Sequence, residues 1–229
     1  MSVYILWFMI YSFGGWLWEL VFNRVVNKIW RFHGYLTLPL LPIYGFSALG
    51  ILVLAQPYIH NPVALFLAAA LIVSLIEYST SLVLEKVFRL KLWDYSDWPM
   101  NIKGRISIFS TLGFGFMGLA LVYVLQPMVG QLTGLLPGLA AAIIAYGLLA
   151  IFILDYISST ASITRLRLDK KKIVGPINEL QYKAGTSIAK LKRSRRKLRK
   201  AFDGWYNFNI RRLRKAYPRA ITLSFKKRK

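Results

Sequence analysis

The chain has 229 residues, 56% of them hydrophobic and 17% charged, with a mean hydropathy of +0.45, a balance that excludes an ordinary soluble domain. It contains no cysteine, which removes structural disulfides, thiolate zinc sites and cysteine nucleophiles. Its net charge of +22 is concentrated at one end: from Arg165 to Lys229 there are 23 Lys/Arg against Asp169, Glu179 and Asp203, a net of +20, so residues 1–160 read as a transmembrane domain and residues 161–229 as a basic cytoplasmic tail.

The first apolar run covers about residues 3–22 and carries one acid, Glu19. It lacks the basic n-region and the small-residue cleavage site of a signal peptide, so it is expected to be retained. Further runs follow at about residues 40–59, 63–84, 106–126 and 136–157, each near the roughly 20 residues that a helix needs to cross about 30 Å of hydrocarbon. Pro57 and Pro62 bracket one tight connector, and Pro127, Gly130, Gly134 and Pro137 mark another, as expected where helices stop and restart. The fold class expected is all-α, a polytopic membrane helix bundle of about five transmembrane helices with a basic amphipathic helical tail.

The connectors orient it. Arg24, Lys28 and Arg31 follow the first run, and Lys86, Arg89, Lys91, Lys103 and Arg105 lie between the third and fourth, while the other two connectors carry no Lys or Arg. The positive-inside rule then places the N-terminus outside and the C-terminus in the cytoplasm. Trp16, Trp18, Trp30, Trp93, Tyr95 and Trp98 fall near the cytoplasmic ends, as in an interfacial aromatic belt.

Acids inside spans are costly unless they are paired or face a polar interior. Glu19, Glu77 with Glu85, and Asp155 all fall in the cytoplasmic half of the inward-running spans one, three and five. Glu77, Ser81 and Glu85 are spaced by four and share a helix face widened by Tyr78 and Thr80, and Ser12, Gly15 and Glu19 share one on the first span. Arg105, near the start of the fourth span, is the expected partner of an intramembrane carboxylate. The structural alternative has Glu85 in interfacial water and Glu19 paired with Arg24 or Arg105. Ser107, Thr111, Gly115 and Gly118 read as a packing seam rather than a site.

The strings YSFGGWLWE (Tyr11 to Glu19), LPIYGF (Leu41 to Phe46), EYSTSLVLEKVF (Glu77 to Phe88), WDYS (Trp93 to Ser96) and NIKGR (Asn101 to Arg105) together resemble the ABC-transporter type IV (CmpB-like) family of small bacterial membrane proteins. The likeness covers about residues 1–126, while the fifth span and the tail depart from its core pattern. It implies a multi-pass permease-like protein of the bacterial inner membrane and a separate ATP-binding partner subunit, since this chain has no GxxxxGK[ST] phosphate loop,. The expected polar binding cluster comprises Glu19, Glu77, Ser81, Glu85, Asp94, Tyr95, Asn101 and Arg105, with Trp18, Tyr44, Trp93 and, from its place in the fifth span, Asp155 as further candidates. WELVFNR and LEKVFR also echo one another, which would make spans one and two repeat as spans three and four.

In the tail, Leu180, Ala184, Ile188, Leu191, Leu198, Phe202 and Trp205 form a helical stripe opposite Lys192, Arg193, Arg195, Arg196, Lys197, Arg199 and Lys200,. That composition suits the anionic cytoplasmic leaflet. Nucleic acid is the weaker alternative, because no folded RNA-binding signature accompanies Trp205, Tyr206 and Phe208. The leading functional expectation is a transport or permease component with a cytoplasm-facing Glu/Arg site between spans one, three and four. A scaffold or regulator acting through the tail ranks second and a lipid-headgroup enzyme third, with no catalytic residue, cofactor or metal assigned. A homodimer or a partner subunit fits five spans around a shared polar site.

Overall fold

A computed structural model describes residues 1–27, 34–88 and 91–168. The cationic tail residues Lys192 to Lys200 and the stripe facing them lie outside the described residues. Helix α1 spans Ser2–Asn27, α2 Pro42–Leu54, α3 Pro62–Val83 with a π-helical extension Leu84–Phe88, α4 Ile108–Ala120, α5 Gln126–Gly134 and α6 Gly138–Leu168. A short antiparallel hairpin, β1 (Asn101–Ile102) and β2 (Ile106–Ser107), precedes α4. The protein is an all-α membrane helix bundle. Among the described residues, four stretches are long and apolar enough to cross a bilayer: Ser2–Val25, Pro62–Phe88, Ile108–Gly134 and Gly138–Ser162.

The segment expected as the second span differs. Helix α2 has 13 residues and is therefore about 20 Å long, short of the roughly 30 Å hydrocarbon core. It is antiparallel to α1 and begins beside the middle of that helix: the Leu41 amide donates to the Ser12 carbonyl at 2.9 Å, and the Phe8 and Phe46 rings meet edge to face at 4.9 Å. The chain reaches that point through non-helical residues 35–41. Two prolines account for the break. Pro39 disfavours helix at Leu38 and centres a tight turn in which the Leu40 amide donates to the Leu38 carbonyl at 2.8 Å,. Pro42 then opens α2 at a position whose amide has no helical partner to lose,.

The fourth span runs longer than expected. Pro127 does not end it; α4 and α5 form one continuous helical rod to Gly134, interrupted by a π-helical turn at Leu121–Leu125. A wide turn just ahead of a proline relieves the clash between its ring and the carbonyl one turn back, which is what breaks a regular helix. The connector to α6 shrinks to Leu135–Pro137. The two halves of the proposed repeat are accordingly unequal, with 13 residues in α2 and 27 in Ile108–Gly134.

The α3–α4 seam forms as the small residues imply. A Cβ at Gly115 would collide with the Phe66 ring, and one at Gly118 with Ala69. Ser74 and Thr111 share a hydrogen bond of 2.9 Å across the same seam. The core around it comprises Tyr11, Ala48, Ile51, Ala55, Leu65, Ala69, Val73, Leu121 and Val129. Helix α6 packs on α1 through Leu6, Ala141 and Ala145.

Candidate functional site

Residues converge at the end of the bundle where α1 and α3 finish. Glu19 comes from α1, Tyr44 from the first turn of α2, Glu77, Tyr78, Ser81 and Glu85 from α3 and its extension, and Tyr95 and Arg105 from the connector between α3 and α4. The Tyr44 hydroxyl donates to Glu19 Oε1 at 2.8 Å, and the Tyr95 hydroxyl donates to Glu77 Oε1 at 3.0 Å. The two carboxylate–tyrosine pairs lie within electrostatic range of one another.

Local backbone explains how the tyrosines reach. Gly15 lies one helical turn before Glu19, and a Cβ there would occupy the space of the Tyr44 ring. The bare backbone lets the ring pack close against α1, with its hydroxyl at the carboxylate,. Tyr95 is fixed by its main chain, whose amide donates to the Gly104 carbonyl at 2.9 Å. Gly104 itself has φ +66°, and a Cβ there would meet Ser96 and Asp94. Burial pushes the Tyr95 phenol well up from its ordinary value, and the neighbouring Glu77 carboxylate adds to this, so the hydroxyl stays protonated and donating.

Glu77 is 5% exposed, and its second carboxylate oxygen has no hydrogen-bond partner. Of the carboxylates that Arg105 could have met, it takes Glu85 and not Glu77. Arg105 forms an ion pair of 2.7 Å with Glu85, donates to the Tyr78 hydroxyl at 3.1 Å and places its guanidinium carbon 5.2 Å from the centre of the Tyr78 ring. The reason lies in the helix: Glu85 is two turns beyond Glu77, at the level where the hairpin brings Arg105 against α3.

The remaining candidates organise the surroundings. Asp94 pairs with Lys91 at 2.8 Å and accepts from the Ser96 amide at 3.0 Å. Partial burial opposes its ionisation, but the Lys91 ammonium and the Ser96 donors outweigh that and hold its carboxyl below the usual range. Asn101 donates to the carbonyls of Ser96 and Trp98 and accepts from the Gly104 amide, and Trp93 donates to the Arg105 carbonyl at 3.0 Å. Ser81 is buried one turn below Glu77. Trp18 is half exposed and stacks on Phe22. Asp155 Oδ2 accepts from the amides of both Thr37 and Leu38 at 2.9 Å, so its partner is the non-helical segment before α2. Spacing alone places Ser12 and Tyr78 on polar faces without giving either a neighbour. The only signal for the Thr37 and Leu38 amides is the proline pair at 39 and 42.

The family described as Putative ABC-transporter type IV matches residues 6–160. The chain belongs to this family. The match continues past residue 126 and takes in most of α6, so the fifth span is part of the family core, and it stops short of the basic tail. No curated protein and no solved structure matches the chain. For a member of the ABC-transporter type IV family, the polar assembly of Glu19, Tyr44, Glu77, Tyr95, Arg105 and Glu85 thus lies wholly within the shared region.

Proposed function

We propose that this chain is the membrane-embedded component of a transport system, with a cytoplasm-facing site formed by Glu19, Tyr44, Glu77 and Tyr95 and bordered by the Arg105–Glu85 pair. The observation that carries the reading is Glu77, a buried carboxylate with one oxygen unpartnered. Leaving a buried polar group unsatisfied costs about 1–3 kcal/mol or more, and ionisable residues inside a membrane domain characteristically mark substrate or ion pathways. The positively charged connectors orient the cluster inward, with the N-terminus outside,. Energy coupling through ATP would require a separate subunit. The lipid-headgroup enzyme has less support, since Arg105 is committed to Glu85 and Tyr78, and Asp94 to Lys91 and Ser96.

The test is solute exchange in proteoliposomes containing the wild-type chain or Glu77→Gln. Loss of exchange in a variant that still inserts and elutes as the wild type supports a transport site. Unchanged behaviour of Glu77→Gln, together with loss of cellular function when residues 169–229 are removed, would instead establish the scaffold reading, which the tail charge favours.

A further inference from the structure

We infer that the groove between α2 and the charged end of α3 binds one anionic phospholipid, its acyl chain against Phe46, Leu75 and Ile76 and its headgroup at Lys86. The groove measures about 410 Å³ and is lined by Phe46, Leu75, Ile76, Ser79 and Thr80. It exists because the second segment is broken. Helix α2 is too short to cross the hydrocarbon,, and the chain before it is drawn to α6 rather than along α3. Asp155 accepts the Thr37 and Leu38 amides, and the Tyr35 hydroxyl shares a hydrogen bond of 2.7 Å with Thr160. Gly50 packs α2 against Ile72 and Ile76, and toward Lys86 the second segment offers α3 no further helix among the described residues.

Along its length the groove changes chemistry in the order that a phospholipid does. Phe46, Leu75 and Ile76 make the apolar end, with Phe46 and Leu75 more than half exposed. Ser79 lies about 25 Å along the helix axis from Pro62,, near the edge of a hydrocarbon core roughly 30 Å thick, the depth at which glycerol ester carbonyls begin. Ser79 is exposed and Thr80 half-buried, and neither hydroxyl has a hydrogen-bond partner among the described residues. A hydroxyl left at that depth without an acceptor is costly, and an ester carbonyl supplies one. Roughly two turns beyond Ser79 on the same helix face, Lys86 is exposed and makes no ion pair among the described residues. Its long side chain places an ammonium at the headgroup level, where it attracts a net negative lipid. A zwitterionic headgroup carries its own cation and gains less. A second copy of the chain would bring an apolar helix to the groove and leave the two hydroxyls and Lys86 without partners.

The experiment places the full chain in phosphatidylcholine nanodiscs with a trace of phosphatidylglycerol, or of phosphatidylcholine, carrying a photoreactive diazirine in its acyl chain, and maps the adducts by peptide mass spectrometry. Leu154 of α6, exposed to the bilayer, reports bulk lipid, including any that the basic tail draws in. Relative to Leu154, adducts on Leu75, Ile76 and Ser79 should be about 5-fold more abundant with the phosphatidylglycerol probe than with the phosphatidylcholine probe. Lys86→Gln should erase that preference, and Ser79→Phe, which fills the groove, should abolish the α3 adducts. Should Ser79→Phe not fold, Thr80→Phe carries the same criterion. Equal relative yields from the two probes, α3 adducts retained in the groove-filling variants, or adducts confined to residues 169–229 would overturn the inference. So would an absence of α3 adducts, the result expected of a groove covered by a second copy.

Discussion

Removing the Asp155 carboxylate should loosen the entry to α2 more than any substitution on the lipid-facing surface of α6. Asp155 Oδ2 accepts the amides of Thr37 and Leu38, both at 2.9 Å, in a stretch whose neighbours Tyr35 and Leu36 are buried. Non-helical backbone at this depth survives only where protein satisfies its polar groups. Asp155→Ala orphans two donors, each worth about 1–3 kcal/mol when left unpaired. Because Thr37 and Leu38 are half-buried, the lower part of that range applies, about 2–4 kcal/mol in total, or a midpoint fall of roughly 5–10 °C for a chain of this size. Asp155→Asn keeps an acceptor oxygen without the charge and should lose about half as much. Ser159→Ala, which gives up only a 3.5 Å contact with Asp155 Oδ1, should change little. Thermal unfolding followed by tryptophan fluorescence, with the three variants at one scan rate, measures this series. A fall below about 1 °C in Asp155→Ala would refute the assignment of Asp155 as the cap of a broken span.

Gly15→Ala inserts a methyl group where the Tyr44 ring lies and should destabilise by about 1–3 kcal/mol, which thermal unfolding reads. Acid should loosen the connector through Asp94, whose carboxyl is held below its ordinary range. With the folded value below the unfolded one, its stabilisation is present above about pH 4 and is lost as pH falls through the folded value. Hydrogen exchange at the Ser96 amide, which donates to Asp94, should lose protection in that window, and Asp94→Asn should remove the pH dependence.

Much of the site is legible as a set of residue types but not as a set of pairs. The four-residue spacing places Glu77, Ser81 and Glu85 along one helical path, and in the structure Glu77 and Ser81 do turn inward. Helical periodicity specifies direction around an axis, whereas which residue meets Arg105 depends on the height at which the hairpin docks. That height is set by Gly104, Asn101 and Trp93, and it delivers Arg105 to Glu85. Tyr44 is similar: no periodicity links it to Glu19, and the close approach over Gly15 becomes visible only when α2 is packed on α1.

The sequence by itself determined the membrane class, the four long spans and the polar positions at their ends, because hydrocarbon thickness and charge burial act on composition over some 20 residues at a time. It also carried the family, through strings that lie in the bundle rather than in the tail. Only the tertiary structure decided that the second segment is a half-length helix behind a non-helical approach, and that Pro127 lies within a span. Both depend on where broken backbone finds partners: Asp155 on a helix more than 100 residues away in sequence supplies them for the first, and the π-helical turn at Leu121–Leu125 absorbs the second. Apolar composition is identical in a continuous helix and a broken one, and only packing shows where the hydrogen bonds go.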